Sequence, residues 1–291
     1  MLASLVNEII GEYDIKLTVR QIYYRLVVGN VMPNTRSYYN SFDSILTTLR
    51  KKGLVDPAAI EDRSRQTIGG DVQKIRTPEE FFKATLNYLK ESWKDYDLPL
   101  WTSQESYIEV WLEKDALSAL VSEVCNRYRV LLFPNRGYSS YTMIREAMPR
   151  LFLREQNQMI LYFGDHDPSG LQAIDRIKKD LKEEDLPSEN VIPIALTMNQ
   201  VKEHGLPSQP VKLSDTRAKW YIEKYGTREC WELDALPPDT LQAIVDKAIR
   251  DQINQQVWDK ELEEIDEGQG EVKRMIDKLM NSLDEEELNN K

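Results

Sequence analysis

Cysteine is scarce in this 291-residue chain: Cys125 and Cys230 stand far apart and form no CxxC pair. That excludes a disulfide framework and a zinc site of the usual spacing, and predicts two buried, reduced thiols. No apolar run approaches the roughly 18 residues needed to span a bilayer. The stretch from Met1 to Val6 carries no basic leader, and Glu8 follows too early for a signal peptide, so a cytoplasmic, membrane-free protein is expected. Neither GxxxxGK[ST] nor GxGxxG occurs, so nothing points to ATP hydrolysis or a dinucleotide. Internal repeats are also lacking.

A surplus of positive charge is missing too. The net charge is -11, which argues at first against nucleic acid. Its distribution weakens that argument. Between Ile15 and Lys52 there are seven bases and one acid, a balance of +6, and between Asp259 and Lys291 twelve acids and five bases, a balance of -7. A basic segment at one end and an acidic tail at the other fit a binding surface or, equally, two solvated faces.

The segments divide by pattern. The first ~75 residues read as short helices: Leu2 to Glu12, Val19 to Val28 capped by Thr18, and Ser37 to Lys52 ending at Gly53. Leu54 to Arg65 is expected to form a hairpin or wing. Thr77, Pro78, Glu79 and Glu80 open a helix running to Trp93. The stretch from Lys94 to Ser106 reads as a linker, giving domains 1–95 and 106–291. From Tyr107 onward short apolar strands alternate with helices: strands at 107–112, 130–133, 159–163 and 191–195, helices from 115, 140 and 168. That alternation predicts an α/β fold with a parallel sheet covered by helices. A helix from Pro237 and a charged helical tail complete the chain.

The run Asp165, His166, Asp167, Pro168, Ser169, Gly170 follows the apolar stretch Met159 to Phe163. In extended backbone the side chains of Asp165 and Asp167 point the same way, while His166 points the other way. Glu113 closes the first strand at the same sheet edge. Ligands of parallel sheets bind at that edge. Three carboxylates there suit Mg²⁺, which takes oxygen ligands together with substrate phosphates. Glu113 is also the best placed to relay a proton to or from a leaving oxygen. The alternative is that Asp165 caps the next helix and Asp167 bonds the turn.

Thr18 to Val27 carries the second signal. On a helix, Val19, Ile22, Tyr23 and Leu26 form one apolar face, with Arg20 and Tyr24 together on the other. Tyr23 is then core and Tyr24 exposed. An exposed tyrosine beside a guanidinium suits a nucleophile, with Arg20 favouring the phenolate or binding the phosphate under attack. A Tyr–Arg stack on an ordinary DNA-binding helix is the other reading.

Arg20-Gln-Ile-Tyr-Tyr24, Glu113-Lys-Asp115 and the Asp165 to Gly170 run, taken together, resemble the A subunit of type IIB topoisomerase (topoisomerase VI) and its meiotic double-strand-break relatives. The acidic region is similar to a Toprim domain. The resemblance runs in order from about residue 15 to about residue 240. It implies a winged-helix-like N-terminal domain followed by a Toprim domain. It also implies DNA cleavage by attack of Tyr24, giving a 5′-phosphotyrosyl link and a free 3′-hydroxyl. Arg20 maps to the motif arginine, and Glu113, Asp165 and Asp167 to the metal ligands. The family works as a homodimer in which the tyrosine of one protomer meets the metal site of the other. The chain is shorter than a typical A subunit and carries no ATPase module, so strand passage would require a B-type ATPase partner. It looks more like the stand-alone relatives of the A subunit. A hydrolytic Toprim nuclease and a DNA-binding scaffold are the competing functions.

Further residues suit a DNA backbone. Arg36, Arg50, Lys51 and Lys52 offer phosphate contacts, Arg63 and Arg65 sit where a wing would touch, and Arg136 lies in a turn after the second strand. The segment from Cys230 to Pro237 resembles a late Toprim-region segment, with its apolar residues expected to pack.

Overall fold

The computed structural model describes residues 1–61, 77–134, 140–186 and 188–289, with side chains at 140–143 and 283–289 left aside. Arg63, Arg65 and Arg136 therefore lie outside the described residues. The chain forms two compact units: Met1–Arg65 with Ser106–Gln252, and Gln66–Glu105 with Ile253–Lys291.

The first unit opens with three helices, α1 (Leu2–Gly11), α2 (Val19–Val28) and α3 (Arg36–Lys51). A reciprocal capping box starts α2, with the Thr18 hydroxyl accepting from Gln21 N and the Gln21 side chain accepting from Thr18 N. Gly53 closes α3 at φ +68, a conformation that favours glycine. Val6, Ile22, Tyr23, Leu26, Phe42 and Leu46 form the core of this region. The expected hairpin from Leu54 is not formed as far as Glu61. Pro57–Ala59 make a 3₁₀ turn capped by Asp56, and Ile60 pairs with Leu17 in a single parallel bridge.

Four parallel strands follow: β1 (Ser106–Leu112), β2 (Leu131–Pro134), β3 (Asn157–Phe163) and β4 (Val191–Ala195), in the order β2-β1-β3-β4. Helices α5 (Ser118–Arg127), α6 (Ser140–Phe152) and α7 (Pro168–Glu183) connect them, and α10 (Pro238–Arg250) packs on α5. β1 is central and buried along nearly its whole length, which explains why it is apolar apart from Ser106 and Glu109. Its odd-numbered side chains Tyr107 and Trp111 join Ile160, Tyr162 and the inner faces of α6 and α7. Glu109 shares that face and is 0% exposed. It accepts hydrogen bonds from Tyr107, Trp111 and, through both oxygens, the Arg150 guanidinium (3.0 and 3.2 Å), so the buried charge is fully paired.

The chain leaves β1 toward one side of the sheet and leaves β3 toward the other. That reversal opens a crevice at the carboxyl ends of β1 and β3, where α/β sheets bind their ligands. After β4, α8 (Met198–Glu203) leads to β5 (Gln209–Pro210), and α9 (Ala218–Tyr225) connects it to β6 (Glu229–Cys230), its antiparallel partner.

The second unit contains α4 (Pro78–Glu91) and the 35-residue α11 (Gln255–Asn289). The stretch expected as a linker is ordered within it. Trp101 packs edge-on against Trp258 at 5.6 Å, Gln104 accepts from Asn254 N, and the Tyr96 ring lies where a Cβ on Gly268 would stand. These contacts to α11 and to Asn254 just before it go with a division of the units at 65/66, 105/106 and 252/253, against the expected linker at Lys94 to Ser106. Among the described residues no helix is long and apolar enough to cross a membrane.

Candidate functional site

Glu113 and Asp165 meet in the crevice. Leu112 pairs with Phe163, so each acid emerges just beyond its strand, and Glu113 N donates to Phe163 O. Glu113 Oε2 accepts from Asp165 N at 2.9 Å. Two glycines admit this carboxylate. A Cβ on Gly164 would collide with Glu113 Oε2, and one on Gly170 would lie 2.5 Å from Asp165 O. Asp167 is the N-cap of α7: it accepts from Gly170 N at 2.6 Å and from the Ser169 hydroxyl. His166 points away and is buried, with Nδ1 3.0 Å from the Tyr221 hydroxyl.

A third segment completes the site. His166 and Trp231 exchange backbone hydrogen bonds, which lays residues 231–235 across the aspartate loop. Leu233 N donates to Asp165 Oδ1 at 2.7 Å. Trp231, Leu233 and Ala235 are buried as packing residues, while Glu232 and Asp234 meet Lys114. The Lys114 ammonium lies 3.4 Å from Asp165, 3.3 Å from Glu232 and in direct contact with Asp234. Glu232 in turn pairs with Arg20 on α2. Lys114, Glu232 and Asp234 are site residues that the sequence patterns above do not single out. The one signal was the pair of acids at i and i+2 within an otherwise apolar segment.

Tyr24 is the main correction. It is 1% exposed rather than open to solvent. Its helix face is covered by the β5 segment, and Gln209 Nε2 donates to its hydroxyl at 2.9 Å. Burial and the nearby Glu232 charge raise its pKa far above the ordinary phenol value; Arg20 pulls the other way and does not prevail. Tyr23 is core, its hydroxyl donating to Pro33 O and Thr35 O. Tyr24 does not touch Glu113, Asp165 or Asp167; the connection runs through Arg20, Glu232 and Lys114. Of the basic residues, Arg36 sits at the start of α3 beside Tyr24, lining a cavity of about 530 Å³. Arg50, Lys51 and Lys52 stand at the far end of that helix, about 20 Å away at 1.5 Å per residue.

The electrostatics of the crevice are those of excess negative charge. Burial, then the charges of Asp165 and Asp167, push Glu113 up to about 7. Burial pushes Asp165 up to about 6, with Lys114 opposing and Asp234 reinforcing the rise. Burial disfavours the Lys114 charge, yet Asp234, Asp165 and Glu232 outweigh it and keep the ammonium charged. Asp234 Oδ1 is buried without a partner among the described residues. Hard oxygen donors that repel one another suit Mg²⁺. Among the described residues no three His, Cys, Asp or Glu side chains are grouped to hold a metal ion. Mg²⁺ needs only one or two carboxylates beside water and phosphate, so the donor chemistry fits it.

The raised pKa values of Glu113 and Asp165 act on stability with a defined sign. Carboxyls that hold their protons more tightly folded than unfolded contribute stability at low pH and lose it as pH rises through 6 to 7. Glu113→Gln should therefore be more stable than wild type at pH 8 and gain little at pH 5. Mg²⁺ should raise the wild-type thermal midpoint more at pH 8 than at pH 5, and this gain should shrink in the variant. Equal Mg²⁺ shifts in both proteins at both pH values would remove Glu113 from the metal site.

Cys125 is buried and Cys230 half-buried, and both are free thiols. No protein-family model matches the chain, and no curated protein sequence matches it.

Proposed function

We propose that this protein cleaves DNA in a Mg²⁺-dependent transesterification with Tyr24 as nucleophile, in the manner of topoisomerase VI A-like proteins. In this reading the sheet is a Toprim-like domain and α1–α3 a winged-helix-like DNA-binding region. The observation that carries it is the acid pair at the β1/β3 crevice, joined to the tyrosine helix through Lys114, Glu232 and Arg20. Of Glu113, Asp165 and Asp167, one or two would hold Mg²⁺ beside water and phosphate, and the ion when bound offsets charge on the phosphate. Arg20 orients the phosphate. The Tyr24 oxygen bonds to phosphorus, the bond to the 3′-oxygen breaks, and the proton lost by the phenol is balanced by the one gained by the 3′-hydroxyl. Glu113, when it is not itself a metal ligand, is the acid suited to deliver that proton. A homodimer would supply two such sites for a two-strand cut. An ATPase partner would be needed only for strand passage.

The burial of Tyr24 favours a second reading, hydrolysis by a Toprim-like nuclease in which water attacks and Tyr24 positions DNA. Supercoiled plasmid, protein and Mg²⁺, quenched in denaturant, separate the two. Transesterification leaves protein on 5′ ends and is abolished by chelation. Cut DNA with free 5′-phosphates and no adduct supports hydrolysis instead. DNA binding without cleavage under any divalent metal would mark a scaffold.

A further inference from the structure

The cavity beside Tyr24 has a chemistry that phosphodiester cleavage does not require. At about 530 Å³ it is of the size that receives a small organic ligand. One wall is aromatic: Tyr39 meets Tyr23 edge-on at 5.2 Å, and the Arg20 guanidinium lies 4.9 Å from the Tyr39 ring centre. Flat rings and guanidinium planes are the surfaces on which unstacked bases settle. A second wall carries three amides, Asn34, Asn40 and Gln209. Amides offer donors and acceptors together, as the edge of a base demands. Asn34 Nδ2 donates to Ser208 O, while its Oδ1 is buried with no partner among the described residues. At the rim, Arg36 and Lys212 are exposed, and among the described residues neither is engaged in an ion pair. Arg36 also opens the 16-residue α3, whose N-terminus favours an anion.

We propose that this cavity receives one unpaired DNA nucleotide, its base among Tyr39 and the amides and its phosphate against Arg36 and Lys212. The identity of the polymer rests on the cleavage reading above. The stacking wall, the amides and the rim cations stand apart from it. The protein would then select DNA in which a nucleotide is already displaced from the duplex, since extrusion from an intact stack costs energy that a bulge has already met.

The test uses full-length Tyr24→Phe protein without divalent metal, so that binding is read without cleavage. The probes are a hairpin carrying one extrahelical 2-aminopurine, the same hairpin fully paired, and free dAMP. The bulged hairpin should bind roughly 10-fold or more tighter than the paired one, with its fluorescence quenched by stacking. Tyr39→Leu should abolish the quenching and the preference. Lys212→Ala should weaken both hairpins alike and lower the salt slope by about one. Equal affinity for the two hairpins with unquenched 2-aminopurine overturns the proposal even if Tyr39→Leu fails to fold. Competition by dAMP without any bulge preference also overturns it, in favour of a free nucleotide. Wild-type protein that forms adducts but shows no bulge preference leaves cleavage standing and removes this inference. Bulge preference in a protein that never cuts does the reverse.

Discussion

Tyr24→Phe should eliminate the covalent protein–DNA link while leaving the fold in place. The substitution removes the one oxygen that would bond to phosphorus, and loss of a covalent nucleophile costs on the order of 10⁶ in rate. The cost to the fold is small by comparison. The ring still fills its buried position, and the hydrogen bond from Gln209 is worth about 1 kcal/mol. Adducts trapped by denaturant and the thermal midpoint, measured on one preparation, separate the two effects. Cleavage that continues at the wild-type rate would make water the attacking group. Tyr24 is covered in the wild-type protein, so the contact with Gln209 must part before the hydroxyl reaches a phosphate. Adduct formation should then lag behind DNA binding.

Lys114→Met should be the most destabilising single change in the crevice. Lys114 is the shared counter-charge of Asp165, Glu232 and Asp234. Breaking a buried pair while its partners keep their charge costs about 3–5 kcal/mol. About a quarter of the lysine side chain is exposed, which places the expected loss near the lower bound. Urea unfolding at pH 7 measures it. The deficit should narrow on acidification, because protonated carboxyls no longer need the ammonium. Adding Asp234→Asn to Lys114→Met should restore part of the stability. A loss of less than about 1 kcal/mol at pH 7 would mean that the acids are solvated like surface groups.

The parts of this arrangement that a sequence encodes locally were legible. The apolar runs of β1 and β3, the Pro168 start of α7 and the acids just past each strand end follow from period and composition. The same residues predicted the α/β class and the crevice edge. The side of α2 that carries Arg20 and Tyr24 was misjudged for a physical reason. A helical wheel divides apolar from polar positions, and a polar face is not thereby an exposed one. Segments about 190 to 210 residues further on cover it through Gln209 and Glu232. Lys114 was read only as the middle of Glu113-Lys-Asp115. Its importance depends on Asp234, which lies 120 residues away and is buried among Leu233 and Ala235. The same holds for the expected linker: Tyr96, Trp101 and Gln104 have little periodicity, and their partners are on α11 or at Asn254 just before it.

The hydrogen bonds between His166 and Trp231 also set an order of events. During synthesis the N-terminal helices and the first strands leave the ribosome before residues 231–235 exist. Arg20 and Glu232 are 212 positions apart, and closing so long a loop is slow and entropically costly. Until it closes, Lys114 has only Asp165 for company. The sheet can therefore be complete while the acid cluster at its carboxyl edge is not. A nascent chain halted before residue 209 would carry an open tyrosine beside an acid cluster that still lacks Glu232 and Asp234.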